Sequence, residues 1–471
     1  MVVSALRKDS GRGEDGLPGV LGQLKARFGD RLSQGAEIRR QHANTTNWLP
    51  NEPADAVVFA QSTEEVAEIV RICAEARVPV IPFGTGTGLE GHVNAPKGGI
   101  SIDLLGMNRI LAVRAEDLDC TIEAGVTRHQ INDHLRDQGL FFPIDPGANA
   151  SLGGMAATRA SGTNAVRYGT MRDNVINLTA VMADGAIVKT TGRAKKSSAG
   201  YDLTRLLIGS EGTLGIITEL TLRLHGIPEA IAGGVCSFPT VEDACNATIL
   251  TIQSGIPVAR IELLDALMVR ATNDLSKLGL KETPHLFVEF HGSSASVKEQ
   301  SELFGEIAAS LGGGEFAWAT RPEDRSKLWH ARHEAYFAAK GLRVGASVVA
   351  TDVCVPISRL AECVAETTAD IEESGLIAPI VGHVGDGNFH VQLLIDIENA
   401  AEVAAAEHFV GRLNERAIAM EGTCTGEHGI GQGKRKYMEL EHPSGLPIMR
   451  AIKNALDPLG ILNPCKIFPD P

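Results

Sequence analysis

The alternation of apolar and polar positions predicts short strands and helices that follow one another along the whole chain. Short apolar runs bounded by turn residues, such as 56–59 and 78–83, are typical of buried strands. Between them, Ser62 precedes an acidic turn and apolar residues at helical spacing, which predicts an N-capped helix. Further strands are predicted at 99–103, 110–125, 175–181, 187–189, 217–224, 230–238, 260–264 and 285–291, and helices at 20–28, 129–139, 240–254, 297–311, 321–341, 358–374, 402–420 and 449–456. This pattern indicates an α+β fold.

A pair of apolar runs, 377–381 and 391–395, flanks the turn dipeptide Asp386-Gly387. This dipeptide is typical of a two-residue hairpin turn, because the turn that suits strand twist needs positive φ. Such a turn would place His383 directly opposite His390, with Cβ atoms roughly 5 Å apart. Two imidazoles on one face are suited to a divalent metal, whereas the alternative is two histidines that each bond to backbone.

Composition narrows the classes of function. A chain of 471 residues predicts two or three domains, and a net charge of −14 argues against nucleic acid as a partner. The eight cysteines are scattered, which indicates reduced thiols. Neither a signal peptide nor an apolar run of about 20 residues is recognised. We therefore expect a cytoplasmic protein, with any membrane contact peripheral and at the inner face.

A glycine-rich loop follows the strand at 78–83. Its spacing Gly86-x-Gly88-x-x-Gly91 matches the dinucleotide fingerprint, and Asp103 stands where the ribose acid would. That interpretation fails because no crossover helix of normal length fits between this loop and the strand at 99–103. The loop is better interpreted as backbone N–H groups around a pyrophosphate, with an ordinary surface loop as the alternative.

Two further segments, 143–169 and 206–217, are also rich in glycine and small hydroxyl residues. Dense backbone donors without side-chain bulk suit the close approach of a large polar ligand. In the helix-rich segment 321–341, Trp329, Arg332 and Tyr336 recur at helical spacing and are expected to share a face. The planar guanidinium could bind a carboxylate with two hydrogen bonds, although a surface arginine is the alternative.

Together these segments resemble the vanillyl-alcohol oxidase / PCMH superfamily, in its type 4 group of FAD-binding oxidoreductases and transferases. The sequence of these segments is most similar to the branch that contains D-lactate dehydrogenase of the cytochrome type, the glycolate oxidase flavin subunit and D-2-hydroxyglutarate dehydrogenase. The motifs Leu-Trp-x-x-Arg at 328–332 and Gly-Glu-His-Gly-Ile-Gly-x-Gly-Lys at 426–434 also match. The resemblance covers nearly all of the chain after about residue 45.

The resemblance implies the site residues. The metal ligands would be His383, His390 and Glu427, with Zn, Mn or Fe as the metal. The substrate would meet Arg332, Tyr336, Trp329, Asn388, Gln392 and His428, with His428 as the base and Arg332 as the carboxylate group's partner. FAD would contact Pro82, Gly84, Thr85, Gly86, Thr87, Gly88, Leu89, Pro146, Gly147, Ser151, Gly153, Gly154, Ser161, Gly162, Tyr168, Gly169, Glu211, Gly212, Gly215, Ile216, Ile217 and Asn463. Because Leu89 stands where some relatives attach flavin through histidine, noncovalent FAD is expected.

The resemblance also implies a domain plan and an activity. We expect an N-terminal extension at 1–45, a PCMH-type FAD-binding domain at 46–226, an α+β substrate domain at 227–425 and a C-terminal segment at 426–471. The implied activity is that of an FAD- and metal-dependent D-2-hydroxy acid dehydrogenase, which would pass electrons to a quinone, cytochrome or electron-transfer protein. The sequence leaves the oligomeric state open, with a homodimer as one alternative.

Substrate choice depends on residues 349–351, Val-Ala-Thr, which precede Asp352. Relatives that accept 2-hydroxyglutarate carry a lysine shortly before the matching aspartate. Without that cation a second substrate carboxylate would be unpaired, at a cost of several kcal/mol. D-Lactate is therefore expected, with glycolate or D-2-hydroxyglutarate as alternatives and a non-catalytic flavin-binding subunit or a lyase as remote ones. Cys465 departs from the glycine usual in the family, which leaves the local turn open.

Overall fold

The computed structural model describes residues 16–319 and 321–470, and the chain divides into two compact units. The first unit contains Met1–Ala160, Thr170–Gly226 and His428–Pro471, and the second contains Ser161–Gly169 and Ile227–Glu427. Of the expected N-terminal extension, residues 1–15 lie outside the described part of the chain. Residues 16–45 belong to the first unit, where Gly16–Phe28 is a helix and Leu32–Ser33 adds an edge strand.

The first unit contains a four-stranded sheet with the spatial order Leu32–Ser33, Ala56–Phe59, Ile100–Asp103 and Val80–Phe83. The last three strands are parallel, and the fully described connection between Val80–Phe83 and Ile100–Asp103 contains no helix. This confirms that the glycine-rich loop is not a dinucleotide fingerprint. The predicted N-cap is also confirmed, since Ser62 Oγ accepts from Glu65 N at 3.3 Å.

A five-stranded antiparallel sheet completes the first unit. Its spatial order is Ile110–Arg114, Asp119–Glu123, Ile216–Arg223, Val175–Val181 and Ile187–Lys189, and His225–Gly226 pairs separately with Leu140–Phe141. The helices of this unit are Gly16–Phe28, Ala36–Gln41, Thr63–Glu75, Arg128–Leu135, Leu152–Thr158, Met171–Asn174, Leu203–Leu207, Met438–Glu441 and Leu446–Leu456. Short 3-10 turns lie at Gly29–Arg31, Arg136–Gln138 and Arg435–Tyr437. Apolar side chains from both sheets are fully buried, so each sheet has a real core.

The second unit is built on one large antiparallel sheet. Its spatial order is Ala317–Ala319, Ala230–Ser237, His285–Gly292, Val258–Leu264, Ile380–Gly382, Asn388–Ile395 and Ser347–Ala350, with Val353–Cys354 also paired to Asn388–Ile395. The helices are Ala165–Tyr168, Val241–Gln253, Ala266–Ser276, Ser294–Ser310, Pro322–His333, Ala335–Gly341, Leu360–Ser374 and Ala400–Ala419, with 3-10 turns at Ile357–Arg359 and Val384–Asp386. The α+β expectation is confirmed. No helix of the described residues is long and apolar enough to cross a membrane.

The predicted register of the central hairpin is wrong. His390 pairs with Val381 rather than with His383, because the connection is a 3-10 turn at Val384–Asp386 instead of a two-residue turn. Gly387 does adopt positive φ, at +78°, as the turn prediction required. Phe389 lies so close to Gly382 that a Cβ there would come within 2.6 Å of its Cα. The strand ends at Gly382, and His383 lies outside it.

The C-terminal turn carries a testable strain at Cys465, which has a φ of +64°. A non-glycine residue in this left-handed region costs about 1–2 kcal/mol, and glycine would return part of the gain through its freer unfolded state. We expect Cys465→Gly to raise the free energy of unfolding by about 1 kcal/mol in urea titrations. Cys465→Ala should give no gain, and equal gains would show that the thiol rather than the backbone is responsible.

All eight cysteines lie in the described part of the chain, and none forms a disulfide. Most are buried, and burial raises the pKa of the Cys120 thiol to about 12. These side chains behave as small apolar core residues, in agreement with the expectation of reduced thiols.

Candidate functional site

Two histidines and a glutamate converge in the second unit. His383 follows the strand Ile380–Gly382, His390 lies within the next strand, and Glu427 comes after a long helix. Their imidazole ring centroids are 5.3 Å apart at an interplanar angle of 83°. Glu427 Oε1 lies 3.2 Å from His383 Nε2 and 3.4 Å from His390 Nε2. The predicted cluster therefore forms although the hairpin register differs from the predicted one.

Hydrogen bonds orient both imidazoles in the same sense. His390 Nδ1 lies 2.9 Å from the carbonyl oxygen of Thr351, and His383 Nδ1 lies 2.8 Å from Glu262 Oε1. Since both partners can only accept, each ring donates its Nδ1–H, so Nε2 is the nitrogen that each ring would offer to a metal ion bound beside Glu427. Neutral histidines held in this way are typical metal ligands.

The donor set fits a divalent cation. His383, His390 and Glu427 each offer one ligand atom, and these atoms all lie within 4.8 Å of one another. Glu427 Oε2 is buried and has no hydrogen-bond partner among residues 16–319 and 321–470. A buried carboxylate oxygen without a partner is costly, and a metal ion would satisfy it. Two imidazole nitrogens and a carboxylate oxygen suit Zn, Mn or Fe.

Neighbouring charges at this cluster shift the pKa values of Glu427 and His383 in the direction opposite to the effect of burial. Burial alone would raise the pKa of Glu427, but the charge of His383 and its hydrogen bonds hold that pKa below its usual value. Burial would lower the pKa of His383, but Glu262 and Glu427 raise it well above its usual value. In the absence of a metal, the two carboxylates thus favour a cation between them.

Glu262 is a member of this site that sequence reasoning missed. Its side chain is fully buried on the strand Val258–Leu264, and its Oε2 lies 2.5 Å from Arg332 Nη2. Burial would raise its pKa, but His383 and Arg332 hold that pKa below its usual value. The sequence signal was an acidic residue inside a strand that is apolar apart from Arg260, and an acidic residue is rarely buried unless it is paired.

Arg332 is buried near the end of the helix Pro322–His333, and its Nε has no hydrogen-bond partner in the described part of the chain. Trp329, one turn earlier, is also buried, and the Arg260 guanidinium lies 4.6 Å from its ring centroid. The expected continuous helix to Tyr336 is interrupted at Glu334. Tyr336 lies in the next helix, so helical spacing does not place it on the face of Arg332.

Two other expected substrate contacts share the strand of His390. Asn388 and Gln392 are each two residues from His390 on this strand, so all three side chains point to the same face of the sheet. The Asn388 amide donates to Asp352 Oδ1 and to the carbonyl oxygen of Val353, each at 2.7 Å. Both hydrogens of its NH₂ group are therefore used within the protein. Gln392 Oε1 is buried without a hydrogen-bond partner within 16–319 and 321–470, which leaves it available to a ligand.

The first unit contains a glycine-lined cradle. The loop at 84–88 follows Val80–Phe83, and Thr85 Oγ1 accepts from Ser151 N at 3.4 Å. A Cβ on Gly84 would lie 2.2 Å from Ser151 Oγ, and one on Gly88 would lie 2.8 Å from His92 Nδ1. Two of the expected flavin segments therefore meet with bare backbone between them, which fits a pyrophosphate-bearing cofactor.

The remaining expected flavin contacts have different settings. Ile216 and Ile217 are buried in the core, so only their backbone can face a ligand. Pro82 and Gly212 are in close contact, since a Cβ on Gly212 would lie 2.5 Å from Pro82 Cγ. The loops at 84–89 and 146–154 contain the cradle residues and also five other expected contacts, namely Gly86, Thr87, Leu89, Pro146 and Gly147. The residues at 161–169, namely Ser161, Gly162, Tyr168 and Gly169, belong to the second unit, and the Gly215 backbone lies in the first.

Gly153 and Gly154 are adjacent but have different surroundings, so their substitution tests packing and ligand contact separately. A Cβ on Gly153 would lie 2.6–3.0 Å from Cβ, O and Cα of Ala124, whereas one on the exposed Gly154 would approach only Ser151 Oγ, at 3.0 Å. We expect Gly153→Ala to lower the free energy of unfolding by about 1–3 kcal/mol. Gly154→Ala should keep that stability and weaken FAD binding, as measured by fluorescence titration of the apoprotein. Unchanged FAD affinity in Gly154→Ala would remove Gly154 from the cofactor contacts.

Glu211 and Asn463, which are both expected flavin contacts, also make hydrogen bonds within the protein. Glu211 Oε1 accepts from Ile430 N at 2.7 Å and its Oε2 from Gly431 N at 2.8 Å. The Asn463 amide donates to the carbonyl oxygens of Glu211 and His92, at 2.7 and 3.1 Å. The Glu211 carboxylate therefore fixes the loop that begins just after His428, and the Asn463 amide joins the backbone at Glu211 to the backbone at His92.

Comparisons with known proteins bear on the family and the fold of this chain. Residues 54–191 match the family model described as an FAD binding domain, and residues 227–467 match the C-terminal domain of FAD linked oxidases. A probable mitochondrial D-lactate dehydrogenase of Danio rerio is 51% identical over 95% of this chain and 91% of its own length. A mitochondrial D-lactate dehydrogenase of the cytochrome type from Arabidopsis thaliana is 46% identical over 96% and 80%. The structure of 4-ethylphenol oxidase from Gulosibacter chungangensis superposes with a TM-score of 0.80 at 17% identity, over 98% of this chain and 99% of the other.

Proposed function

This chain belongs to the FAD-linked oxidase family, and on that premise we propose that it is an FAD- and metal-dependent dehydrogenase that oxidises D-lactate to pyruvate. The observation that carries the proposal is the cluster of His383, His390 and Glu427, with its partnerless buried oxygen, beside the buried Arg332. A cation site next to a buried guanidinium suits a substrate that has a hydroxyl beside a carboxylate.

The roles of the residues follow from this substrate chemistry. When bound, the metal would polarise the substrate hydroxyl and the flavin would accept the C2 hydrogen as hydride at N5. His428 takes the hydroxyl proton as general base, so that loss of one proton and one hydride yields the 2-oxo acid. Arg332 binds the carboxylate and orients C2. Trp329 is buried one turn before that arginine, and Gln392 offers an unused oxygen to the substrate.

Several finer points belong to the same proposal. The metal would be Zn, Mn or Fe, held by His383, His390 and Glu427. FAD would be bound noncovalently, since Leu89 cannot be attached to flavin. Electrons would pass to a quinone, a cytochrome or an electron-transfer protein, and the chain would act on the cytoplasmic side, peripheral to any membrane.

The choice of D-lactate rests on the segment before Asp352. Residues Ser347–Ala350 form an apolar edge strand without a lysine, so a second substrate carboxylate would find no cation there. Glycolate is smaller than lactate and is the second candidate, and D-2-hydroxyglutarate is disfavoured. A flavin-binding subunit without activity would not need the buried His383, His390 and Glu427 cluster.

The decisive test is anaerobic flavin reduction. The purified protein is mixed with D-lactate, L-lactate, glycolate or D-2-hydroxyglutarate, before and after chelation, while the visible flavin band is recorded. We expect D-lactate to bleach the band fastest, chelation to abolish bleaching and added metal to restore it. Faster bleaching by glycolate or 2-hydroxyglutarate would change the substrate, and no bleaching by any acid would reject the dehydrogenase.

A further inference from the structure

Glu262 contacts two functional side chains that come from separate elements. Its Oε1 accepts from His383 Nδ1 at 2.8 Å, while its Oε2 lies 3.0 Å from that nitrogen and 2.5 Å from Arg332 Nη2. The histidine follows the strand Ile380–Gly382, whereas the arginine lies on the helix Pro322–His333. One carboxylate thus joins an expected metal ligand to the expected carboxylate-binding group.

The position of Glu262 is fixed by the sheet. Its neighbour Leu263 pairs with Gly382, so Glu262 lies beside the point where the chain turns out to His383. The side chain is fully buried, and a buried carboxylate is tolerated only when charged or hydrogen-bonded partners surround it. Here the partners are the two functional groups themselves, and no described residue other than His383 and Arg332 has a side chain hydrogen-bonded or ion-paired to Glu262.

We propose that Glu262 is a positioning residue that couples metal binding to binding of the substrate carboxylate, an inference that rests on the proposed function. By accepting the Nδ1–H of His383, Glu262 leaves Nε2 as the nitrogen of that ring that faces Glu427 and would bind the metal. By holding one nitrogen of Arg332, it fixes the guanidinium plane and leaves Nε available to the substrate. Loss of the Glu262 charge should therefore weaken both sites at once.

The neighbouring strand offers a matched control in Glu289. This side chain is also buried, its Oε1 accepts from His291 Nε2 at 2.8 Å, and it lies 3.6 Å from Arg260 Nε. It therefore repeats the pattern of a buried glutamate between a histidine and an arginine. Trp329 is its third partner, and none of the three is a proposed metal ligand or the group that binds the substrate carboxylate. A general effect of removing a buried charge would therefore appear in both variants.

The experiment compares the wild-type protein with Glu262→Gln, Glu262→Asp and Glu289→Gln. The dissociation constant for Mn²⁺ is measured on the metal-free, FAD-loaded proteins by electron paramagnetic resonance. The half-saturating concentration of D-lactate for flavin reduction is then measured at saturating Mn²⁺. FAD content and the thermal unfolding midpoint report whether each variant is folded.

We expect Glu262→Gln to weaken Mn²⁺ binding about 10- to 100-fold and to raise the half-saturating D-lactate concentration at least about tenfold. Glutamine keeps the shape but brings an NH₂ group to partners that need an acceptor. Glu262→Asp keeps the charge but shortens the side chain, and should weaken both bindings less. If the glutamine variant fails to fold, the aspartate variant carries the same test. Glu289→Gln should change neither constant more than about twofold.

Each other outcome has a defined meaning. Normal Mn²⁺ affinity in a folded Glu262 variant would overturn the coupling, as would equal losses in Glu289→Gln. An effect on only one of the two constants would also overturn it. If the wild-type protein bound no Mn²⁺ and was not reduced by D-lactate, the proposed function itself would fail. A wild-type protein that is reduced by D-lactate in a chelator-sensitive way keeps that function, whatever the Glu262 variants do.

Discussion

Replacing His390 by glutamine should abolish metal binding and slow flavin reduction by D-lactate about 1,000-fold, which corresponds to an activation free energy higher by about 4 kcal/mol. The imidazole is fixed by its bond to the carbonyl of Thr351, and its Nε2 lies 3.4 Å from Glu427 Oε1. A glutamine in its place cannot direct a nitrogen lone pair toward the metal. Bound metal is measured by elemental analysis after dialysis, and flavin reduction by anaerobic stopped flow.

His285 gives the matched control, because it is another buried strand histidine of the same sheet. Its Nδ1 lies 2.7 Å from the carbonyl oxygen of Thr283, as His390 Nδ1 does from that of Thr351. His285→Gln should keep the metal and the rate of reduction. A His390→Gln protein that retains both would remove this cluster from the mechanism, and equal losses in both variants would indicate a general effect on the sheet.

Much of the fold could be predicted from local pattern, because strand and helix periodicity is a short-range property. The strand Ala56–Phe59 was placed correctly, and the cap at Ser62 formed as expected. The hairpin shows the limit of this reasoning. Asp386-Gly387 predicted a two-residue turn, but the connection is a 3-10 turn at Val384–Asp386, and Val381 rather than His383 pairs with His390. Register depends on tertiary contacts, which a short sequence pattern does not contain.

The candidate site was predicted only in part for a similar reason. Histidines and an acid between glycines are visible as chemistry, so His383 and His390 could be chosen from sequence. Glu262 lies more than 100 residues from both, and only the pairing of strands brings it to His383. Glu211 was chosen only for its place in a glycine-rich flavin segment, and that pattern did not indicate that its carboxylate accepts hydrogen bonds from Ile430 N and Gly431 N.

The second large effect is expected at Arg332. Arg332→Lys should lower kcat/KM for D-lactate about 1,000-fold, because lysine keeps the charge but loses the planar pair of donors that a carboxylate binds. The retained charge still partners the buried Glu262, so the protein should fold and keep its FAD. Steady-state rates with an artificial electron acceptor measure the loss.

D-Lactamide separates carboxylate binding from a general role of Arg332. This substrate analogue has no carboxylate, so Arg332→Lys should lower its kcat/KM by at most about tenfold. Arg260→Lys is the control variant, because Arg260 also lies near a buried glutamate, Glu289. Its kcat/KM for D-lactate should stay within about threefold of the wild-type value. Equal losses on D-lactate and D-lactamide in Arg332→Lys would mean that the arginine acts through Glu262 and the metal site rather than on the substrate carboxylate.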